Sequence, residues 1–324
     1  MIFPEGTRSR DGKMKRFHKG AFYLAQELNL DIQPILIVGA HYVNPKNDLI
    51  IKSGSLILVP LERITQSDAI YQQRFGLLTK DVQALMRKEL RSAKHELEDA
   101  SYLKNRVLYN YLYKGPVMEW YVRIKWRFEQ RNFAFYDRLI ADREKIYDVG
   151  CGLGYLGYFL HYRNEEREII GIDYDTEKIG VAQNGYDKNS NLKFVQGDIR
   201  DVKIASADVV FYNDVLHYMG QEKQLEVLNM TVDNLNENGI LIIRDGITDM
   251  SERHDVTKRT EKYSTQIVNF NKTTGELSFF SSKDIFKFAK ERNLECEMME
   301  QSAKTSNVVF VLRKRVNDRQ TEGI

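Results

Sequence analysis

The chain is poor in cysteine and proline and has no long apolar run. Its 324 residues contain two cysteines, Cys151 and Cys296, so no framework of disulfides is predicted and a reducing, cytoplasmic environment is expected. No apolar run approaches the roughly 18 residues of a membrane span, and no signal-peptide pattern appears at the start. The net charge of +2 argues against extensive nucleic-acid binding. These absences favour a soluble or peripheral protein with no nucleic-acid partner.

What the chain does contain is a cluster of glycines directly after an apolar strand pattern. The apolar run ends at Asp148, and Gly150, Gly152, Gly154 and Gly157 follow before a helical pattern begins. Glycine adopts positive φ without steric cost and lets the backbone approach a flat ligand closely. The stretch therefore predicts a nucleotide-type site on the first strand–helix turn of an open α/β sheet.

Three acids at predicted strand ends indicate which nucleotide. Asp148, just before the glycines, opposes a phosphate but suits a cation. Asp173 ends the second strand and suits ribose hydroxyls, and Asp198 ends the third and suits an adenine amino group, with Ile199 as an apolar contact. The G-x-G-x-x-G spacing alone also fits a dinucleotide, but it is a weak signal. A cationic, phosphate-free adenosine ligand, S-adenosylmethionine, fits all three acids.

Four motifs in order carry a resemblance to a known family. They are Asp148-Val-Gly-Cys-Gly-Leu-Gly, Gly171-Ile-Asp, Gln196-Gly-Asp-Ile and Tyr212-Asn-Asp-Val-Leu-His. Over roughly residues 113–315 the chain resembles class I S-adenosylmethionine-dependent methyltransferases. The resemblance implies an α/β, Rossmann-like fold, whose sheet is parallel except for an antiparallel last strand, and S-adenosylmethionine as the cofactor. A doubly wound domain that binds another nucleotide is the alternative left open.

The resemblance also implies a set of site residues, with no metal. The cofactor-binding residues would be Asp148, Gly150, Cys151, Gly152, Gly154, Asp173, Asp198, Ile199 and Asn213. Cys151 is expected to pack in the turn rather than act as a nucleophile, and Asp148 either orients the turn or meets the methionine amino group. Asp175 is expected to cap the following helix.

The catalytic residues are predicted to be Asp214 and His217. Asn213 and Asp214 end the fourth strand beside the transferred methyl group, unless they only cap the next helix. His217 is a candidate base for a hydroxyl acceptor, although histidine at a helix start often only packs. Three further residues are candidates for facing the acceptor, two of them in a polar insert, residues 247–280, that is expected to act as a lid. They are Tyr218, His254 and Tyr263.

The first line of the sequence resembles a second family. Phe3-Pro-Glu-Gly-Thr-Arg-Ser, Arg16-Phe-His-Lys-Gly-Ala-Phe and the apolar run of residues 32–39 are similar to lysophospholipid (1-acylglycerol-3-phosphate) acyltransferases. The resemblance implies that Glu5, Gly6, Thr7 and Arg8 hold an acceptor phosphate, with acyl-CoA or acyl carrier protein as the acyl donor. None of the six histidines is followed by Asp at the family's five-residue spacing, so the catalytic pair is absent.

These resemblances predict a domain order. Residues 1–65 would be the C-terminal part of an acyltransferase-like domain, 66–113 a helical linker, 114–315 the methyltransferase domain and 316–324 a disordered tail. Residues 32–38 and 55–59 read as strands that need cover, so we expect an exposed apolar patch, in a fragment of a longer polypeptide or one that a partner completes. Missing N-terminal domains or the inner membrane surface are the expected partners.

Residues 102–135 interleave basic and aromatic side chains. The favoured interpretation is a helical cover whose aromatics fold over the cofactor pocket, and the alternative is an interfacial helix on anionic lipid. Gly115-Pro116 marks the predicted boundary before this helix.

We therefore expect a methyltransferase for a lipid-like or aryl acceptor, resembling multi-domain proteins of bacterial aryl-polyene-type clusters. Two alternatives remain: an acyltransferase in a longer parent, or a non-catalytic S-adenosylmethionine-binding module at a membrane surface.

Overall fold

A computed structural model describes residues 1–9, 12–46, 49–201, 203–249, 277–300 and 307–314. The chain divides into two compact units, Met1–Leu108 and Tyr109–Ile324. This boundary falls a few residues before the one predicted at Gly115-Pro116. Within the described ranges, no helix combines the length and the apolar composition that crossing a membrane requires.

The first unit combines helices with a two-stranded antiparallel sheet. Its elements are α1 (Gly20–Glu27), β1 (Ile35–Val38), α2 (Ala40–Val43), β2 (Ile57–Pro60), α3 (Phe75–Leu97) and α4 (Lys104–Tyr109). Leu36 and Val38 of β1 pack with Ala93 of α3, whereas Ile35 and Ile37 on the other face are exposed. The sheet therefore carries the exposed apolar face that the strand pattern predicted.

The helix predicted from residue 66 to 110 is two helices, α3 and α4, because residues 98–103 are not helical. Leu78 and Val82 of α3 are buried in a cluster with Phe17 and Phe22. The apolar stripe of α3 therefore packs on the N-terminal segment.

The second unit alternates strands and helices. Its elements are α5 (Pro116–Ile140), β3 (Lys145–Val149), α6 (Tyr155–Arg163), β4 (Glu168–Asp173), α7 (Thr176–Gln183), β5 (Leu192–Gln196), β6 (Ala207–Asn213), α8 (Gln221–Asn234), β7 (Leu235–Gly246), α9 (Ser282–Glu291), β8 (Leu294–Glu300) and β9 (Asn307–Lys314). Pro116 is the first residue of α5, where its missing N–H costs no helical hydrogen bond.

These strands form a seven-stranded sheet in the order β5-β4-β3-β6-β7-β9-β8. β3 to β7 pair in parallel, while β9 is antiparallel to both β7 and β8. The predicted α/β class, with a parallel sheet closed by an antiparallel hairpin, is confirmed. The inner strands are buried on both faces, which explains their nearly continuous apolar runs.

The order of the strands determines where a ligand can bind. β3 lies between β4 and β6, so the chain leaves it toward one side first and returns to the other side later. A crevice forms outside the carboxyl ends of the strands at such a switch point. The glycine turn and the acids at the carboxyl ends of β3, β4 and β5 lie at this edge of the sheet.

Candidate active site

The turn after β3 is built from glycines with positive φ. Gly150, Gly152 and Gly154 have φ values of 81°, 56° and 77°, which residues with a Cβ rarely adopt. The N–H groups of Gly150 and Cys151 donate to the carbonyl of Ile172 at 2.7 and 3.0 Å. These bonds tie the turn to the end of β4, next to the second predicted acid.

The three glycines differ in what a side chain would meet. A Cβ at Gly154 would lie 2.4 Å from Cε1 of Phe194, and one at Gly150 would lie 2.8 Å from Cβ of Val215. A Cβ at Gly152 would meet nothing within 4 Å. Packing therefore requires Gly150 and Gly154 to be glycine, whereas Gly152 keeps open the space in which a ligand can contact the backbone.

The acids at the ends of β3 and β4 interact with each other and with the turn. Burial, together with the charge of Asp173, raises the pKa of Asp148 to about 7. Asp173 accepts hydrogen bonds from the N–H groups of Gly152 at 2.8 Å and Asp175 at 2.9 Å. Asp173 thus holds the glycine turn in place, and Asp148 is a buried carboxyl group that a nearby cation would ionise.

The acid after β5 has a cationic partner. The Nε of Arg200 donates to Asp198 Oδ1 at 2.9 Å, and its Nη2 binds the other oxygen. This side-chain hydrogen bond lowers the pKa of Asp198. Asp175, by contrast, caps α7 by accepting from the N–H groups of Glu177 and Lys178, as predicted.

These strand ends surround a cavity of about 560 Å³. The predicted site residues in its wall are Asp148, Gly150, Cys151, Gly152, Asp173, Asp198, Ile199, Asn213 and Asp214. Gly154 and His217 do not line it. Helix α5 closes one side with Tyr121, Lys125, Glu129, Phe133 and Tyr136. The interpretation of this helix as an aromatic cover over the pocket is therefore confirmed.

Cys151 is placed as a packing residue. Its side chain is buried, and burial raises the pKa of the thiol well above its usual value. A thiol that resists ionisation is a poor nucleophile. Its sulfur would lie 3.0 Å from a Cβ at Gly171, so it fills the space beneath the turn.

At the end of the cavity near β6 and β7 lies an ion network that the sequence did not reveal. Arg244 Nη1 donates to Asp214 Oδ2 at 2.7 Å and to the two carboxylate oxygens of Glu129 at 3.0 and 3.2 Å. Burial acts to lower the pKa of Arg244, but the charges of Asp214 and Glu129 outweigh it and raise this pKa. The network therefore places the Arg244 guanidinium between the carboxyl groups of Asp214 and Glu129.

Asp214 is held in an unusual backbone conformation within this network. Its φ is 52°, a left-handed value that costs free energy in residues other than glycine. Asn307 Nδ2 donates to Asp214 Oδ1 at 2.9 Å. The backbone N–H of Asp214 donates to the carbonyl of Arg244 at 2.8 Å. Asn213 accepts from the hydroxyl of Tyr136 at 3.0 Å. Neither residue caps the following 3-10 helix, whose N-cap is Val215.

His217 lies behind the cavity wall. Its Nδ1 is 2.6 Å from Asp245 Oδ1, its ring stacks on Phe279 at 4.9 Å, and only 1% of it is exposed. The structure thus brings Asp214 to the cavity but not His217, whose role as a base stays a prediction. Tyr218 lines the cavity, whereas His254, Tyr263 and most of the predicted lid lie outside the described residues.

The sequence comparison decides the family. Residues 140–308, just over half of the chain, match the family described as "Methyltransferase domain". The chain belongs to this methyltransferase family. Residues 1–38 match the acyltransferase family, which supports the N-terminal resemblance over that short stretch.

Curated relatives of the methyltransferase domain include two carboxy-S-adenosyl-L-methionine synthases. The protein from Shewanella baltica is 29% identical over 143 residues, which are 40% of this chain and 59% of the relative. The protein from Actinobacillus pleuropneumoniae is 29% identical over 152 residues, or 43% of this chain and 63% of the relative. The chain thus spans about three fifths of the length of these relatives.

The solved structures that match this chain share less sequence identity with it than these curated relatives do. An O-methyltransferase family protein from Burkholderia thailandensis is 16% identical, with a TM-score of 0.46 over 79% of this chain and 75% of its own. Magnesium protoporphyrin IX methyltransferase from Synechocystis, solved with bound SAH, is 16% identical, with a TM-score of 0.45 over 71% of this chain and 100% of its own.

The cofactor of the methyltransferase domain is S-adenosylmethionine, and the cavity fits it. The bare backbone at Gly152 leaves room for a flat ligand, and the acids after β3, β4 and β5 all line the cavity. Asp148, buried and poised to ionise near neutral pH, suits a ligand that carries positive charge. Asp173 and Asp198 would meet the ribose and the adenine.

The predicted phosphate-binding turn in the first unit is ordered by hydrogen bonds. Gly6 has a φ of 68°, and Glu5 Oε2 accepts from the N–H of Lys15 at 2.7 Å. Arg8 Nη1 donates to the carbonyl and side-chain oxygens of Asn44 at 3.1 and 2.5 Å, and Lys46 donates to the hydroxyl of Thr7 at 2.7 Å. Their role as phosphate-binding residues stays a prediction.

Proposed function

We propose that the methyltransferase domain transfers the methyl group of S-adenosylmethionine to an aryl or lipid-like acceptor that carries a weakly acidic hydroxyl group. The observation that carries this proposal is the Arg244-bridged pair of carboxylates, Asp214 and Glu129, which faces an aromatic wall inside one cavity. Phe133, Tyr136 and Tyr155 in this wall suit a flat apolar acceptor.

The residues at this end of the cavity have distinct tasks. When bound, the cofactor would supply a methyl group on a sulfonium centre, and the sulfur would become a neutral thioether once the methyl group is transferred. Asp214 takes the hydroxyl proton of the acceptor, because its carboxylate is fixed in position by Arg244 and Asn307. Loss of that proton makes both the oxygen and the adjacent ring or enol carbon nucleophilic, so O- and C-methylation share this arrangement.

The strained backbone of Asp214 supports a functional role. A left-handed φ in a non-glycine residue persists when the surroundings impose it, and such residues cluster at active sites. The bonds from Arg244 and Asn307 impose it here. We further propose that the domain works at the cytoplasmic face of a membrane, as the resemblance to aryl-polyene-type multi-domain proteins suggests.

The test is a product assay with the full chain, methyl-labelled S-adenosylmethionine and a panel of phenolic and long-chain hydroxyl acceptors. Asp214→Asn should lower kcat on the order of a hundredfold or more while calorimetric binding of S-adenosylhomocysteine stays unchanged. Asp208→Asn is the matched control, since Asp208 lies at the opposite end of β6 and does not line the cavity. Its activity per folded molecule should equal that of the wild type.

Other outcomes identify the alternatives. Full activity in Asp214→Asn would show that Asp214 is not the base. If a carboxylic acid able to supply a carboxyl group is added to the same assay, replacement of a methyl hydrogen of S-adenosylmethionine by a carboxyl group would indicate the chemistry named for the Shewanella baltica relative. Transfer from acyl-CoA or acyl carrier protein would point to the acyltransferase alternative, and binding without any turnover to a non-catalytic module.

A further inference from the structure

Helix α5 has a third face, in addition to its core face and the face that lines the cavity. Val122 and Trp126 are buried in the core, and Tyr121, Lys125 and Glu129 line the cavity. The exposed positions of the helix are Pro116, Val117, Trp120, Arg123, Arg127, Phe128, Arg131 and Arg138. From Val117 to Arg131 these positions recur at helical spacing with no gap longer than four residues, so they form one continuous stripe along the helix.

The composition of this stripe is unusual for a surface exposed to water. Val117, Trp120 and Phe128 are 79%, 63% and 72% exposed, although large apolar side chains usually avoid such exposure when they lie together. The charged members of the stripe are all arginines, and along this fully described helix no exposed position carries a carboxylate. The stripe is therefore apolar and positively charged at once.

The positive charge of the stripe is only partly compensated. Glu119, which is partly buried, binds Arg123 at 2.5 Å. Arg127 and Arg131 on the following turns have no such acid one turn before them, where Arg123 has Glu119. A surface that combines an exposed tryptophan, apolar side chains and surplus arginine complements the headgroup region of an anionic bilayer.

We propose that the stripe from Val117 to Arg131 is a docking surface for an anionic lipid bilayer. Tyr121 lies one helical turn from Val117, and Lys125 lies one helical turn from Phe128. Since Tyr121 and Lys125 line the cavity, the helix that contacts lipid also forms part of the cavity wall. Docking then holds the cavity at the membrane–water interface, where a lipid-like acceptor resides. This advantage rests on the proposed function, but lipid binding itself does not.

The experiment is vesicle flotation of the full chain without donor or acceptor, so its result is independent of methyl transfer. The chain should float with phosphatidylglycerol-containing vesicles and much less with phosphatidylcholine alone. Trp120 and the buried Trp126 are the two tryptophans of the chain. Lipids brominated on the acyl chain should therefore quench tryptophan emission through Trp120, and Trp120→Phe should remove that quenching.

Charge and apolar contributions are separated by variants. Arg123→Gln, Arg127→Gln and Arg131→Gln together should lower the partition coefficient on the order of a hundredfold. The matched control is Lys283→Gln, Lys287→Gln and Lys290→Gln, which makes the same charge change at exposed positions of α9. This control variant should lower the partition coefficient about threefold or less. Trp120→Ser with Phe128→Ser should weaken binding without changing S-adenosylhomocysteine affinity.

Four results would overturn the proposal. They are an absence of flotation, flotation without quenching at Trp120, an equal loss of binding in the α9 control, and retention on single-stranded RNA in place of vesicles. The second of these would place lipid binding on another surface, such as the exposed apolar residues of the first unit. Intact lipid binding with no methyl transfer would leave the docking surface standing and reject the proposed function alone.

Discussion

At the glycine end of the cavity a bare backbone turn and the acids at the strand ends form the binding surface, whereas at the Arg244 end a network of paired side chains forms it. The glycine turn is held by Asp173, which is 21 residues from Gly152 in the chain. Arg244 instead contacts Glu129 across 115 residues, and Asn307 reaches Asp214 across 93. One end is assembled by neighbouring strand–turn units, and the other by four segments that are remote in the chain.

This difference determines which residues at each end of the cavity can change and which ligand each end can recognise. A backbone surface contacts a ligand through features that every glycine turn shares, so it suits a constant cofactor. Side chains brought from α5, β6, β7 and β9 can change without disturbing the turn, so they suit an acceptor that differs between relatives. If the two ends are separable, a substitution at one end should leave the function of the other end intact.

The largest effect is expected within the glycine turn. Gly154→Ala should lower the free energy of unfolding by about 4 kcal/mol, since the new Cβ combines a strained φ with overlap against Phe194. Gly152→Ala is the matched variant, because it has a similar strain but no overlap. It should cost only about 1 kcal/mol in urea unfolding yet weaken S-adenosylhomocysteine binding strongly. Equal stability of the two variants would contradict the assigned roles.

The second largest effect is a loss of stability expected at the Arg244 end of the cavity. Arg244→Met should lower the free energy of unfolding by about 3 kcal/mol, because two carboxylates that are at most 29% exposed lose the charge that compensates them. S-adenosylhomocysteine affinity should change less than threefold, since the cofactor end is untouched. The control is Arg313→Met, which removes an ion pair with the exposed Glu297 and should cost less than 1 kcal/mol.

Adding Glu129→Gln to Arg244→Met separates charge from packing. Removing one of the two acids should recover part of the lost stability, because less buried negative charge then remains. If urea unfolding shows no recovery, the loss in Arg244→Met arises from packing. A large loss of S-adenosylhomocysteine affinity in either variant would show that the two ends are coupled.

The same contrast explains how far the sequence could predict this molecule. The strand ends and the glycine turn are local patterns, so β3, β5 and the acids of the cofactor end could be predicted from spacing alone. Glu129 and Arg244 gave no signal, because nothing in a helix or strand pattern indicates which distant charges will meet. The pairing of His217 with Asp245 across 28 residues also gave no signal, since it depends on the packing of β7.

A smaller effect is expected at Asp173. Asp173→Ala should weaken S-adenosylhomocysteine binding by about 1–3 kcal/mol, through lost bonds to ribose and a loosened turn at Gly152. Asp175→Ala is a suitable control, because it removes the cap of α7 and should cost about 1 kcal/mol of stability with little change in affinity. Calorimetry that finds the two variants equal in affinity would remove Asp173 from the cofactor site.

The smallest effect is a pH dependence at Asp148, whose pKa of about 7 lies above its value in the unfolded chain. Its contribution to stability is therefore fully present below about pH 4 and is lost as the pH rises through 7. Cofactor affinity should change in the opposite direction, because a cationic ligand favours the carboxylate. Binding of S-adenosylmethionine at pH 6 should be about tenfold weaker than at pH 8, with a proton released at pH 6.

Asp148→Asn should abolish this dependence of affinity on pH, and a dependence that persists in the variant would assign it to another group. A dependence shared with S-adenosylhomocysteine would place the carboxylate beside the methionine amino group, whereas one confined to S-adenosylmethionine would place it beside the sulfonium.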